Sequence, residues 1–186
     1  MDTGFLRRYF ERMHSLPGWF LPDAALMFMA YSQLVSDRVQ PGNTLEIGVY
    51  HGKSAIAVAS LRGESGTFTA IDVFDDLHAR DGSSHDVGIK GAFLANMAAW
   101  FPSLDWMRLI AAPSATVPAE TLGPHSFCHI DGLHTAEGTY SDMRLCAEVV
   151  VPGGLVYRAP TGDSSLWVWD AEQGRYIREL TSRPVS

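Results

Sequence analysis

The chain has 186 residues, of which 46% are hydrophobic and 19% are charged, a balance typical of one globular domain with a substantial core. The formal net charge is −7, and lysine and arginine are scattered along the chain. We therefore expect no nucleic-acid partner, because nucleic-acid binding requires a basic face that neutralises phosphates.

Targeting signals and cysteine usage indicate a cytoplasmic setting. The first turns carry charged residues, so no secretory signal peptide is predicted. The longest apolar run, residues 24–31, is too short to span a bilayer, and we expect no membrane association. Cys128 and Cys146 lie in apolar stretches and are expected to be reduced, buried thiols.

Two helices are predicted at the N-terminus, over about residues 3–14 and 22–39. The second helix is expected to bury one apolar face, because five residues recur at helical spacing: Met27, Ala30, Tyr31, Leu34 and Val35. Pro41-Gly42 ends it.

Strands and helices then alternate along the chain. Short apolar runs predict strands at 44–48, 67–71, 106–111, 127–131 and 155–157, and the segments between them predict helices at 53–62, 86–100, 114–121 and 136–149. This alternation predicts an α/β fold with a doubly wound, Rossmann-like, mostly parallel sheet.

The C-terminal stretch breaks this rhythm. Two apolar runs on either side of residues 170–174 predict an antiparallel hairpin that closes one sheet edge. We therefore expect one domain, with N-terminal helices (1–40), a sheet core (41–158) and a C-terminal hairpin (159–186). In such sheets, ligands bind outside the carboxyl ends of the strands.

The first strand end carries a glycine loop, and residues 45–54 read LEIGVYHGKS. Gly48 and Gly52 are separated by one residue too few for a Walker phosphate loop, and the Gly-x-Gly pair of a dinucleotide fingerprint is absent. The pattern is instead acidic-x-Gly-x-x-x-Gly. Glu46 would attract a cationic ligand group and repel a phosphate, although a plain glycine turn with a solvated Glu46 is the alternative.

Asp72 follows the second strand, 26 residues after Glu46. A carboxylate there can accept ribose hydroxyls, or it can cap a turn. Ser114, after the third strand, stands on the adenine side of such a site or caps a helix. The polar stretch 75–86 is either a lid over the site or a solvated loop.

A histidine–aspartate cluster follows the fourth strand, where residues 128–134 read CHIDGLH. Asp131 at the strand end and His134 three residues later could both reach a bound substrate. His134 is a candidate general base, and a hydrogen-bonded loop histidine is the alternative. His129 and Asp131 could also belong to an iron triad, but the second histidine of such a site normally comes from a β-barrel.

Four segments together resemble the class I S-adenosylmethionine-dependent methyltransferases, in the cephalosporin-hydroxylase-like and macrolide O-methyltransferase-like group: Leu45–Ser54, Ile71–Asp76, His129–Asp142 and Pro152–Gly154. The resemblance covers roughly residues 20–157. It implies transfer of a methyl group from S-adenosylmethionine to a hydroxyl group of a natural product or sugar, which leaves S-adenosylhomocysteine.

The resemblance also implies roles for individual residues. His134 would be the catalytic base, with Asp131 near the reacting centre. The cofactor would be bound by the strand ends and the residues that follow them: Glu46, Gly48, Tyr50, Gly52, Lys53, Ser54, Asp72, Val73, Phe74, Ser114 and Asp131.

The chain also departs from these relatives. Leu133 replaces a second aspartate, and Tyr157-Arg158 replaces an acidic pair that holds magnesium in many of them. Because magnesium requires hard oxygen ligands, we predict no metal. These departures leave an alternative open, a methyltransferase-like binding or assembly protein without methyl transfer. The N-terminal helices could cover a small-molecule substrate or form a homodimer.

Overall fold

Seven strands form one sheet, and helices pack on both of its faces. The computed structural model describes residues 3–40, 42–74, 88–158, 165–170 and 173–181. The strands are β1 (Asn43–Ile47), β2 (Phe68–Asp72), β3 (Met107–Ala111), β4 (His125–Ile130), β5 (Val150–Arg158), β6 (Ser165–Asp170) and β7 (Arg175–Thr181). The described α-helices are α1 (Thr3–Arg12), α2 (Pro22–Arg38), α3 (Lys53–Ala59), α4 (Ile89–Trp100) and α5 (Ala136–Val149).

The strand order is β3-β2-β1-β4-β5-β6-β7. Strands β1 to β5 pair in parallel, whereas β6 pairs antiparallel with both β5 and β7. The predicted α/β class, the doubly wound parallel sheet and the C-terminal hairpin are confirmed. The chain order reverses between β1 and β4, and a ligand crevice is expected at such a switch point.

Alternate strand residues face two different helical layers, because successive side chains of a strand point to opposite faces. On one face, Phe127 and Leu155 pack in a cluster with residues of α1 to α4, such as Phe28 and Phe93. On the other face, a second cluster packs against α5: Leu45, Ile47, Ile71, Ile130, Leu145 and Val149. The free thiols of Cys128 and Cys146 are buried in this second cluster.

The prediction of a helix over residues 114–121 is wrong. Two 3-10 turns occupy this segment, Ser114–Thr116 and Ala119–Thr121. Pro118 lies between them and lacks the backbone N–H that a continuous helix would need. The apolar runs also underestimate the length of β5, which begins at Val150 rather than at residue 155.

The predicted face of α2 also differs from the buried one. Ala25 and Phe28 are fully buried, whereas Ala30 is exposed and Met27 is half-buried. Several helical stripes of α2 are apolar, so packing rather than periodicity selects the face. The side chains of Tyr31, Leu34 and Val35, and the polar stretch 75–86, lie outside the described part of the structure. No described helix is long and apolar enough to cross a membrane.

Candidate functional site

A cavity of about 320 Å³ opens at the carboxyl ends of the parallel strands. Ile47 and Ile71, from the ends of β1 and β2, line it together with the segments that follow β1, β2, β3 and β4. Its volume is at the lower end of the range for small-molecule sites, about 300–1,000 Å³. The cavity therefore lies at the edge of the sheet where the topology predicts a ligand.

Gly48 allows the loops after β1 and β4 to touch. It has a positive φ of +84°, and a Cβ atom there would lie 2.2 Å from the carbonyl oxygen of Asp131. The Gly48 N–H donates to Ile71 O at 2.8 Å, and the Asp131 N–H donates to Ile47 O at 2.8 Å. These bonds extend the strand ladders into the cavity wall, which only a glycine at position 48 permits.

The Asp72 carboxylate fixes the loop that follows β1. Its Oδ2 atom accepts from the backbone N–H groups of Val49 at 2.7 Å and Tyr50 at 2.9 Å. Its Oδ1 atom accepts from the Phe74 N–H at 2.8 Å. A carboxylate has about four acceptor sites, so about one remains for a ligand hydroxyl. Asp72 thus lines the cavity and also holds its rim.

Ser114 and Asp142 join the segment after β3 to α5. The Ser114 hydroxyl group donates to Asp142 Oδ1, and both residues line the cavity. Burial raises the pKa of Asp142, and the hydrogen bond from Ser114 partly offsets that shift. A Cβ atom on Gly132 would lie 2.8 Å from Asp142 Oδ2, so the loop after β4 packs closely on this carboxylate.

Asp131 and His134 form a polar pair in the same cavity. The distance between His134 Nε2 and Asp131 Oδ1 is 3.4 Å, and the side chains are 49% and 34% exposed, respectively. Burial raises the pKa of Asp131, whereas His129 and His134 lower it. The pair is therefore accessible to a ligand, and the carboxylate orients the imidazole ring.

Comparison with known families identifies the fold and the family. The profile of a family described as a methyltransferase domain matches residues 45–157, which include every strand end described above. The chain belongs to this family. Its relatives are the class I S-adenosylmethionine-dependent methyltransferases. A search of curated protein sequences finds no match.

Several solved structures, two of them O-methyltransferases, share the fold of this domain. The TDP-rhamnose 3'-O-methyltransferase CalS11 has a TM-score of 0.56 at 18% identity, and 84% of this chain covers 76% of it. Cofactor-bound Rv0187 from MTB has a TM-score of 0.57 at 15% identity, and 84% of this chain covers 65% of it. The O-methyltransferase from Bacillus cereus, in complex with S-adenosylhomocysteine, has a TM-score of 0.55 at 13% identity, and 85% of this chain covers 66% of it. The chain is thus shorter than these three proteins.

The methyltransferase domain brings seven of the predicted site residues to the cavity: Gly48, Tyr50, Asp72, Val73, Ser114, Asp131 and His134. Other lining residues were not predicted as site residues, among them Gly132, Ser141 and Asp142. A sequence signal for Asp142 exists, because it lies four residues after Gly138 on α5 and residues at this spacing share a helix face.

Five predicted cofactor residues do not line the cavity: Glu46, Gly52, Lys53, Ser54 and Phe74. Lys53 Nζ donates to Gly18 O at 2.9 Å. A Cβ atom on Gly52 would lie 3.2 Å from the Phe93 ring, and Phe74 is only 2% exposed. Gly52, Lys53 and Ser54 lie away from the cavity because the chain turns into α3 directly after the loop, and Phe74 packs in the hydrophobic cluster of α1 to α4.

Glu46 is fully buried beneath the loop, where its Oε1 atom accepts from the Ser54 hydroxyl group and lies 2.8 Å from His129 Nδ1. Burial raises the pKa of Glu46, and contacts with His129 and Ser54 oppose that shift. The strand alternation that directs Ile47 to the cavity directs Glu46 to the opposite layer. Glu46 therefore braces β1 against β4 instead of lining the cavity.

Of the residues at or after the ends of β4 and β5, Leu133 and Arg158 offer no oxygen ligand for magnesium to the cavity. Leu133 lines it with an apolar side chain, and Arg158 ends β5 with a cation. His129 pairs with Glu46 beneath the loop, whereas Asp131 lines the cavity. Within the described ranges, no group of three His, Cys, Asp or Glu side chains could hold a metal ion.

Proposed function

We propose that the protein is an S-adenosylmethionine-dependent methyltransferase that methylates a hydroxyl oxygen of a small molecule. One observation carries the proposal: residues at or after four strand ends meet in one cavity, among them Gly48, Asp72 and the Asp131–His134 pair. The family supports the cofactor, and the Bacillus cereus neighbour is complexed with the demethylated cofactor.

The charges of the cavity suit this cofactor. Three carboxylates line it, those of Asp72, Asp131 and Asp142, and its described lining contains no lysine or arginine. When bound, S-adenosylmethionine supplies a methyl group on a positively charged sulfur atom, and negative groups stabilise such a cation. Asp72 would accept a ribose hydroxyl through its remaining acceptor site, and the Ser114–Asp142 pair would face the adenine.

His134 would remove the proton from the acceptor hydroxyl group. Because Nε2 faces Asp131 Oδ1 at 3.4 Å, Nδ1 is the nitrogen available to a substrate. S-adenosylmethionine would supply its methyl group to the acceptor oxygen, and the hydroxyl proton would pass to Nδ1 of His134. The protein thus contributes alignment and proton removal.

Calorimetry with S-adenosylhomocysteine tests the cofactor site. We expect one-to-one binding that Asp72→Asn weakens by about 10- to 100-fold, because a charge-assisted hydrogen bond to a ribose hydroxyl is lost. The exposed Asp105 provides the control Asp105→Asn, which should bind as the unaltered protein does. If the folded protein shows no binding, the proposal is wrong.

The alternative is a methyltransferase-like binding or assembly protein without methyl transfer. The replacement of relatives' acidic residues by Leu133 and Arg158 favours it. Tight binding of S-adenosylhomocysteine without turnover of any hydroxylated acceptor would support it. A homodimer through the N-terminal helices remains a prediction, and the exposed Leu21 and Leu26 provide apolar surface there. Light scattering would measure the oligomeric state of the protein in solution.

A further inference from the structure

An exposed aromatic residue lines the cavity. Trp19 is 88% exposed, although its indole ring is one of the largest apolar groups in the chain. Its ring centroid lies 6.0 Å from that of Tyr50, at an interplanar angle of 32°. Tyr50 in turn stacks on His51, with centroids 4.1 Å apart. The cavity therefore has an aromatic wall that begins outside the sheet and continues into the loop after β1.

The segment that carries Trp19 is held in place. Lys53 Nζ donates to the carbonyl oxygen of Gly18 at 2.9 Å, and the added-Cβ position of Gly18 lies 3.6 Å from Lys53 Cβ. Lys53 begins α3 directly after the glycine loop that follows β1. This contact therefore links Gly18, the residue before Trp19, to the end of that loop. Trp19 is thus fixed beside the cavity while most of its ring faces solvent, which is an unfavourable state for a free indole.

A second apolar group lies next to the candidate base. Leu133 is 65% exposed, lines the same cavity and immediately precedes His134. The charged side chains in the described lining are carboxylates and one histidine, so a phosphorylated or carboxylated ligand would meet no lysine or arginine there. The site is therefore complementary to a neutral, planar, apolar compound.

We propose that Trp19, Tyr50 and Leu133 bind the ring of a neutral phenol and direct its hydroxyl group toward His134. This inference rests on the proposed function and specifies its substrate class. An aromatic ring that stacks on indole or phenol gains more than an aliphatic ring of equal size, because aromatic faces and edges attract one another.

The acidity of a phenol also suits proton transfer to His134 of the Asp131–His134 pair. A phenolic hydroxyl group titrates near 10, as tyrosine does, whereas the hydroxyl group of a saturated alcohol is far less acidic. An imidazole can therefore take a proton from a phenol more readily than from a saturated alcohol. The proton passes from the phenolic oxygen to His134 Nδ1, and the oxygen gains the methyl group that sulfur loses.

The test compares 4-ethylphenol with 4-ethylcyclohexanol, which have the same non-hydrogen atoms. Ligand-observed NMR measures both affinities, with and without S-adenosylhomocysteine. We expect the phenol to bind about three- to tenfold more tightly than the saturated alcohol. Trp19→Leu should abolish this preference, Trp19→Phe should retain most of it, and Tyr140→Leu, at an exposed tyrosine outside the cavity, should leave it unchanged.

Each outcome separates the inference from the proposed function. Equal affinity for the two alcohols would overturn the phenol assignment, even if S-adenosylhomocysteine binds. A Trp19→Leu variant that loses S-adenosylhomocysteine affinity but keeps the phenol preference would place Trp19 on the cofactor instead, and would also overturn it. A phenol preference without any S-adenosylhomocysteine binding would support the aromatic subsite and contradict the methyltransferase proposal.

Discussion

At the scale of single residues, Gly48 is the position least able to accept a side chain. A Cβ atom there would lie 2.2 Å from Asp131 O, and φ is +84°. Gly48→Ala should lower the free energy of unfolding by about 3 kcal/mol or more, because two backbone segments must separate. Urea denaturation measures the change.

Gly123→Ala is the matched control for Gly48→Ala, because Gly123 has a φ of +75° but no atom within 4 Å of its added Cβ. It should cost only about 1–2 kcal/mol, from backbone strain alone. Equal losses in the two variants would show that the contact between the β1 and β4 loops is not tight.

His134 is the residue whose replacement should affect turnover alone. His134→Gln should lower kcat by about 100-fold or more, because the glutamine amide cannot accept the hydroxyl proton. Affinity for S-adenosylhomocysteine should not change, because half of the His134 side chain is exposed and its described polar contact is with Asp131. His14→Gln, at an exposed histidine of the N-terminal region, serves as the control.

A steady-state pH profile of both variants with the same acceptor decides the role of His134. An unchanged kcat in His134→Gln would contradict its role as the base and leave it as a loop histidine.

At the scale of elements, the Ser114–Asp142 hydrogen bond couples the segment after β3 to α5. Asp142 is only 2% exposed, so Ser114→Ala leaves a buried carboxylate oxygen without its hydrogen-bond donor. A double-mutant cycle of Ser114→Ala and Asp142→Asn should give a coupling energy of about 1–3 kcal/mol.

The control for this cycle is Thr116→Ala, which removes an exposed hydrogen bond to Pro113 O. It should change the stability by less than about 0.5 kcal/mol. Additive effects of Ser114→Ala and Asp142→Asn would mean that the 3-10 segment and α5 are not linked through this pair.

Elements with one dominant physical cause were predictable from sequence. The parallel strands are continuous apolar runs, and α5 begins after Thr135, whose hydroxyl oxygen accepts from the Gly138 N–H at 3.1 Å. The segment 114–121 was not predictable by periodicity, because Pro118 divides an otherwise helical pattern. The face of α2 depends on packing against the sheet, which the sequence of one helix does not contain.

The site was predictable to the extent that it follows strand ends. Asp72 and Asp131 reach the cavity because Asp72 ends β2 and Asp131 directly follows β4, and both strands are parallel. Glu46 does not, because a shift of one residue along β1 reverses the face of a side chain. Trp19 comes from a segment before the sheet, and tertiary contacts such as that of Lys53 with Gly18 hold it beside the cavity.

At the scale of the whole molecule, His125 makes the stability of the fold depend on pH. It begins β4 in the middle of the sheet, is fully buried, and its Nδ1 lies 2.9 Å from Gly123 O. The pKa of His125 is lowered to about 4, chiefly by burial and to a smaller extent by Arg108, while the hydrogen bond with Gly123 opposes the shift. In the unfolded chain, a histidine titrates near 6.5.

Between these two values, the unfolded state binds more protons than the folded state, so stability must fall as the pH falls from about 6.5 to about 4. The full shift corresponds to about 3 kcal/mol. In His125→Asn, the amide can still donate to Gly123 O but cannot titrate. Urea denaturation at pH 7 and pH 4.5 should therefore show a smaller acid loss for the variant than for the unaltered protein. Carboxylates that titrate in the same range contribute to both proteins and cancel in this difference, so equal acid losses would mean that His125 is protonated within the folded sheet.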